Sequence, residues 1–262
     1  MQKIFSISIV SHGHKKYIEE LIQNIRKINR DDVEIILISN IHEKFDVDYD
    51  GLSFPLRLIE NSTPKGFAEN HNFAFNFSNA ENFVILNPDI KLLRDPFDIL
   101  LALLKESPNS ICAPLVLNEK NEVEPSARHF PSPFLLCKKL LSRLCHFSLK
   151  PEALVDTEDV IMPDWVAGMF MVIPREIYAS LHGLNEKYHM YYEDVDFCAR
   201  ARLAGYKILV SKHAKVVHDA QHDSHRKIRY LLWHLSSAFK FFLSSAYLKI
   251  SWNRIVDKSS KL

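Results

Sequence analysis

The chain has 262 residues, 47% of them apolar, and a formal net charge of +1. That is enough for one large α/β domain with a substantial core. The near-neutral balance gives no broad basic field and argues against a nucleic-acid partner. Four cysteines, Cys112, Cys137, Cys145 and Cys198, show no CxxC spacing and read as reduced thiols of a cytoplasmic protein. Met1 to Phe5 runs into a strand pattern without a signal-peptide layout, and no apolar run approaches the ~18 residues that span a bilayer.

The first half alternates strand and helix patterns. Ile4 to Val10 predicts a strand that stops at Ser11-His12-Gly13-His14, and Tyr17, Ile18, Leu21, Ile22, Ile25 and Ile28 then recur on one helical face. Val33 to Ile38 is a nearly continuous apolar strand, buried on both faces, ending at Ser39-Asn40. A third strand falls at Leu56 to Ile59, and a helix from Gly66 to about Phe77. A fourth strand, Phe83 to Leu86, closes at Asn87-Pro88-Asp89. A helix opened by Asp95-Pro96 runs to Leu104, and a fifth strand covers Ile111 to Leu117. This alternation predicts a mostly parallel sheet with right-handed crossovers and helices on both faces, with polar residues gathered at the strands' C-terminal ends.

Beyond Asn118 the pattern loosens. A basic amphipathic helix is expected over Phe134 to Phe147, and strands over Val160 to Trp165 and Met169 to Ile173. Pro174 opens a helix to Leu181. Strands follow at Ile208 to Val210 and Val216 to His218, and one aromatic, basic helix over Ile228 to Tyr247. Two basic apolar helices point to a membrane surface as readily as to core or dimer packing. The organisation expected is a domain over 1–225, with a donor half 1–117 and an acceptor half 118–225, followed by an amphipathic helix and tail over 226–262.

The chemistry concentrates in Met190-Tyr191-Tyr192-Glu193-Asp194-Val195-Asp196. Val195, Cys198, Ala199 and Leu203 have helix spacing, which places Glu193 and Asp194 in a first turn, where the helix dipole alone favours acids. The apolar approach to them predicts partial desolvation and raised pKa values, as a general base requires. Asn87-Pro88-Asp89 reads either as a turn or as a single carboxylate for a divalent cation. His218, His222 and His225 resemble a zinc cluster only in spacing, with no HExxH and no cysteine ligand; His218 beside Asp89 is the better ligand reading. No Gly-x-Ser-x-Gly, GxGxxG or P-loop occurs.

Taken in order, Ser8-Ile9-Val10-Ser11-His12-Gly13-His14, Gly66-Phe67-Ala68-Glu69-Asn70-His71-Asn72, Asn87-Pro88-Asp89, Trp165-Val166-Ala167-Gly168-Met169-Phe170, the Tyr191–Arg200 stretch and Val216-Val217-His218 resemble family 2 glycosyltransferases. The nearest likeness is to bacterial rhamnosyltransferases that build O-antigen and related polysaccharides. The resemblance covers residues 4–245 and implies a GT-A fold, a nucleotide-sugar donor, a divalent cation (Mg2+ or Mn2+) and inversion at the anomeric carbon. It assigns Ser11, His12, Gly13 and Asn40 to the nucleotide pocket, and Gly66 and Asn70 to closure over the donor. Asn87 and Asp89 stand for the family's DxD element, with Asp89 and His218 as metal ligands. Asp194 is the implied base and Glu193 its neighbour. Trp165, Gly168 and Arg128 line the acceptor side. Two departures stand out: the DxD has lost its first acid, and Ser39-Asn40 replaces an aspartate that reads the base in many relatives. The reading is transfer of L-rhamnose from dTDP-β-L-rhamnose to a polyprenyl-diphosphate-linked saccharide at the inner face of the cytoplasmic membrane. The rivals are a UDP-hexose or UDP-N-acetylhexosamine donor, and a non-catalytic sugar-nucleotide binding protein.

Overall fold

The computed structural model describes residues 3–49, 51–145, 154, 158–219 and 228–259. In chain order the elements are β1 (Phe5–Ser11), α1 (Lys15–Ile28), β2 (Val33–Ser39), β3 (Leu56–Glu60), α2 (Phe67–Phe75), β4 (Asn82–Leu86), β5 (Ile90–Lys91), α3 (Phe97–Glu106), β6 (Ser110–Leu117), β7 (Ala127–Arg128) and α4 (Pro133–Leu144). There follow β8 (Val160–Ile161), β9 (Trp165–Val166), β10 (Phe170–Pro174), α5 (Arg175–Ser180), α6 (Glu193–Leu203), β11 (Lys207–His218), α7 (Ile228–Phe242) and α8 (Ser245–Ser259).

The main sheet runs β3-β2-β1-β4-β10-β6-β11-β5, with β8 paired to β11. Strands β3, β2, β1 and β4 are parallel, as are β6 and β11; β10 lies antiparallel between β4 and β6. Side-chain alternation along each strand sorts the core into two layers. Ile35 and Leu37, Val84 and Leu86, and Phe170 and Val172 face α1 and α3. Ile36 and Ile38, Phe83 and Ile85, and Met171 and Ile173 face α2, α5 and α6, with Ala238, Phe241, Ala246 and Ile250 of α7 and α8 in the same layer. Helix α1 forms because Ile18, Leu21, Ile22 and Ile25 make one buried stripe, and it ends at Asn29, whose left-handed backbone (φ 55°) closes the last turn. From β1 the chain steps outward to β2 and β3, then returns to place β4 on the other side of β1. Such a switch point opens a crevice at the strands' C-terminal ends, where Ser11 closes β1 and Asn87 follows β4.

Several expectations need correction. The strand read over Val160 to Trp165 is two short strands in different sheets, because β8 pairs with β11 and β9 with β7. The two strands read at Ile208 and Val216 are one, β11, whose register against β6 shifts between Ser211 and Lys215. The helix expected over Ile228 to Tyr247 breaks at Leu243-Ser244, and Ser244 Oγ receives the Tyr247 N–H as α8 begins. His222 and His225 lie outside the described residues.

At the N-terminal end of β1, away from the crevice, Arg30 is a mostly buried hub. It donates to both Asp32 oxygens (2.7 and 2.6 Å), to Asp95 (2.6 Å) and to Asp98 (2.7 Å), and its guanidinium stacks over Phe5 and Phe97. Arg30→Ala strands Asp32 and Asp95 without their counter-ion, and an expected loss of about 3 kcal/mol follows. Urea denaturation reads this directly; an unchanged midpoint would mean the cluster is neutral to stability.

Candidate active site

The donor-side residues converge on the crevice through a web of amides. Asn40 and Asn70 are buried at the ends of β2 and α2, and Asn61 Nδ2 donates to both Asn40 Oδ1 (2.9 Å) and Asn70 Oδ1 (2.7 Å). Asn40 Nδ2 reaches the Lys65 carbonyl and the His12 ring, both at 3.0 Å, and its Oδ1 accepts the Lys65 N–H (2.8 Å). Asn70 Nδ2 closes onto the Gly66 carbonyl (2.9 Å). Ser39-Asn40, the departure noted in the sequence, is therefore the node that ties β2 to the Lys65–Gly66 turn.

Ser11 Oγ (2.7 Å) and the Gly13 N–H (3.0 Å) both donate to one oxygen of Glu43. Glu43 and Asn61 are site residues that sequence reading missed. Both sit in connecting segments with neither periodicity nor motif. Beneath them His71 anchors α2 to β1 through Ser8 Oγ (2.7 Å); complete burial pushes its pKa down to about 3 and keeps it neutral.

The first rim of the crevice carries Asp89 and His218. His218 Nε2 lies 3.3 Å from Asp89 Oδ2, and its Nδ1 is 2.8 Å from Glu124 Oε2. Burial opposes charge on His218, but hydrogen bonds to both acids outweigh it and push its pKa up to about 10. His14 stands near the same carboxylate and is lowered by burial, against the pull of Asp89 and Glu43. Asp89 Oδ1 is buried and has no hydrogen-bond partner among the described residues. An orphaned carboxylate oxygen beside an imidazole fits a divalent cation, which Asp89 and His218 would hold through oxygen and nitrogen donors. Among the described residues no three His, Cys, Asp or Glu side chains close a cage. An open pair of this kind suits a cation whose remaining ligands are diphosphate oxygens and water. Asn87 contributes its backbone: its N–H bonds the Met169 carbonyl (2.8 Å), lacing β4 to β10.

The second rim is the start of α6. Tyr191 and Tyr192 both have positive φ (69° and 68°), a strained left-handed pair that reverses the chain just before Glu193. Asp194 Oδ2 accepts the Gly168 N–H (3.0 Å) and Oδ1 its neighbour Val195's N–H (2.8 Å). Glu193 Oε2 is buried and unpartnered among the described residues. Burial raises both carboxylates, Glu193 further because the Asp194 charge adds to it, while the two N–H donors favour charge on Asp194. Of the two, Asp194 is the one whose ionised form the site supports, while burial and its charged neighbour disfavour ionisation of Glu193. The desolvation expected from the apolar approach is present.

Arg128 stacks over Trp165 (5.4 Å) and its charge favours the ionised form of Asp194. Trp165 is largely buried, its Nε1 donating to the His129 carbonyl (3.0 Å), so it supports Arg128 from below rather than forming an open floor. Gly168 has a firmer reason to be glycine. A Cβ there would sit 3.1 Å from the Phe67 ring, beside Asp194.

The two rims are joined. Phe67 N–H donates to the His189 carbonyl (3.1 Å), and a Cβ on Gly66 would lie 2.9 Å from that same oxygen. On the other side α7 holds the loop. Ser237 Oγ bonds the Met190 carbonyl (2.9 Å), Lys240 Nζ the Lys187 carbonyl (2.8 Å), and Phe241, Phe242 and His234 pack on Tyr192. Gly66→Ala is expected to separate the rims and lower transfer by about 10²-fold, since small misplacements carry that cost. Steady-state rates beside an unchanged thermal midpoint would confirm it; wild-type turnover would sink it.

This architecture is the GT-A fold, and the chain resembles family 2 glycosyltransferases. No family model matches it. It is 29% identical over 278 residues to rhamnosyltransferase WbbL of Escherichia coli strain K12, covering 98% of each chain. It is 28% identical over 152 residues to the N-acetylglucosaminyl-diphospho-decaprenol L-rhamnosyltransferase of Mycobacterium tuberculosis, covering 55% of this chain and 48% of that protein. Low-salt glycan biosynthesis hexosyltransferase Agl10 of Haloferax volcanii is 25% identical over 209 residues, 78% of this chain and 62% of its own. Among solved structures, GalNAc-T7 with UDP, GalNAc and Mn2+ superposes with a TM-score of 0.60 at 15% identity, over 84% of this chain and 44% of that one. Mannosyltransferase PcManGT from Pyrobaculum calidifontis, in complex with GDP-Man and Mn2+, gives 0.60 at 15% over 92% and 65%. The chain thus spans less than half the length of the first structure and just under two thirds of the second. These likenesses support a glycosyltransferase.

Proposed function

We propose that the chain is an inverting glycosyltransferase that moves L-rhamnose from dTDP-β-L-rhamnose to a polyprenyl-diphosphate-linked saccharide. The observation that carries the reaction type is the buried Glu193–Asp194 pair, in which Asp194 accepts the Gly168 and Val195 N–H groups. In this reading Asp194 takes the proton of an acceptor hydroxyl, and that oxygen attacks the anomeric carbon from the face opposite the diphosphate. Glu193, neutral, donates to the acceptor and spares Asp194 a second adjacent charge. The amide web around Asn40 and Asn70 holds the nucleotide, while the Gly66–His189 contact fixes the distance between donor and acceptor. A divalent cation between Asp89 and His218 would supply charge neutralisation for the departing diphosphate.

The sugar and the acceptor rest on the names of the E. coli and M. tuberculosis relatives. The test is turnover with dTDP-rhamnose against UDP-hexoses on a lipid-linked saccharide, with the anomeric configuration of the product read by NMR. An α-L-rhamnoside supports the proposal. Turnover only with a UDP-sugar replaces the donor and keeps the mechanism, and nucleotide binding without any transfer leaves a binding protein.

Among the described residues no helix is long and apolar enough to cross a membrane. Leu232 and Phe239 are nevertheless exposed on α7, followed by Leu243 at the break and by Leu248 and Trp252 on α8, with Phe134 and Leu141 exposed on α4. Lys138, Lys240 and Lys249 accompany them. This supports peripheral contact with an anionic lipid surface. Leu232→Glu with Phe239→Glu should release the protein from phosphatidylglycerol vesicles in a flotation assay and leave nucleotide binding intact. Retention on the vesicles would remove α7 as the contact.

A further inference from the structure

Glu124 belongs to none of the motifs, yet it meets the histidine hydrogen-bonded to Asp89. It follows the tight Asn118–Glu122 turn, where Asn118 Oδ1 accepts the N–H groups of Lys120 and Glu122 (both 2.9 Å). Its own N–H is tied to the Val116 carbonyl (2.9 Å), so its backbone is fixed against β6, beside β11. Its side chain is mostly buried and has His218 Nδ1 at 2.8 Å. An imidazole whose Nδ1–H is committed to a carboxylate presents Nε2 in one orientation, and here Nε2 is turned to Asp89, whose Oδ1 has no partner among the described residues.

We propose that Glu124 is the positioning residue of the cation site: it keeps the Nδ1–H of His218, so that when a divalent cation displaces the Nε2 proton to solvent the freed lone pair is already aimed at the position shared with Asp89. A carboxylate behind a ligating imidazole both fixes the ring and makes it a better donor. With a DxD reduced to Asp89, His218 is the second protein ligand of this reading, so its orientation decides whether it can share the cation with Asp89. The inference rests on the cation reading given above and adds to it a residue that touches neither the cation nor the substrate.

The experiment is Mn2+ binding to the full chain in the presence of saturating dTDP or UDP, followed by calorimetry and by the electron paramagnetic resonance of free Mn2+. Glu124→Ala is expected to weaken Mn2+ about 10–100-fold. Glu124→Gln, which keeps an oxygen to accept the Nδ1–H, should recover part of that. The discriminating arm is a double-mutant cycle: in a His218→Ala background, Glu124→Ala should change Mn2+ affinity by less than twofold, because its partner is gone. Equal Mn2+ affinity of wild type and Glu124→Ala, or an undiminished Glu124 effect without His218, overturns the positioning role. Failure of the cation reading itself looks different: wild type and Asp89→Ala would bind Mn2+ equally weakly, and both readings would fall together. The imidazole 1H–15N spectrum of metal-free protein gives a readout independent of Mn2+: loss of the hydrogen-bonded Nδ1–H resonance of His218 in Glu124→Ala supports the proposal, and its persistence overturns it.

Discussion

Asp194→Asn is expected to slow transfer by about 10²–10⁴-fold, the usual contribution of a positioned general base. Folding should survive the change. The asparagine keeps an oxygen to accept the Gly168 N–H, and the site loses a buried charge that folding had to desolvate. Nucleotide affinity should also be preserved, because Asp194 belongs to the rim opposite the amide web. The pH profile carries a second, independent signature. Both carboxylates of the pair are raised, so in the wild type the acidic limb should lie above the range of an ordinary aspartate, with activity lost as pH falls through it. Glu193→Gln keeps a neutral side chain beside Asp194, so the acidic limb should stay in place while the rate falls less than in Asp194→Asn. If Asp194→Asn turns over normally while Glu193→Gln does not, the roles are reversed.

Asp89→Ala is expected to abolish the dependence of nucleotide binding on Mn2+. The cation would keep only His218, and the diphosphate would lose its bridge to the protein. Calorimetry with and without Mn2+ separates the outcomes. A donor that binds Asp89→Ala as tightly as wild type, with the same response to Mn2+, would show that the reduced DxD is a turn and nothing more. The same change also releases His218 from one of its two acids. The variant should therefore be compared by thermal unfolding in metal-free buffer before its binding is interpreted.

What was legible in the sequence was legible for physical reasons. Helix α1 declared itself because a surface helix must show one apolar face, and β2 because a strand covered on both sides is apolar throughout. Asp194, Asp89 and His218 stand out as candidates because they end or begin regular elements, where a motif has a fixed frame. The structure brings His218 beside Asp89 from 129 positions away. What stayed hidden depends on contacts between segments far apart in the chain. Glu43 and Glu124 are ordinary loop acids until Ser11 and His218 are placed against them. The antiparallel entry of β10 between β4 and β6 cannot be read from its own five residues, since an apolar strand looks alike in either direction. The break between α7 and α8 is a serine-capped turn inside an otherwise helical run, and apolar periodicity continues across it.

The hold of α7 on the loop before Glu193 has a consequence for how the C-terminal region can be altered. Its inner residues, Ser237, Phe241 and Phe242, touch the Met190 backbone and the Tyr192 ring just before Asp194, although they are more than forty positions away from Asp194 in sequence. Cutting the chain before Ile228 would therefore not yield a smaller catalyst freed of an accessory tail. It would remove the backing from Tyr191 and Tyr192, whose left-handed backbones are unfavourable unless something presses on them. Relaxation of those two residues would swing Glu193 and Asp194 away from Gly168. A shortened chain of this kind would keep its nucleotide pocket and lose its chemistry.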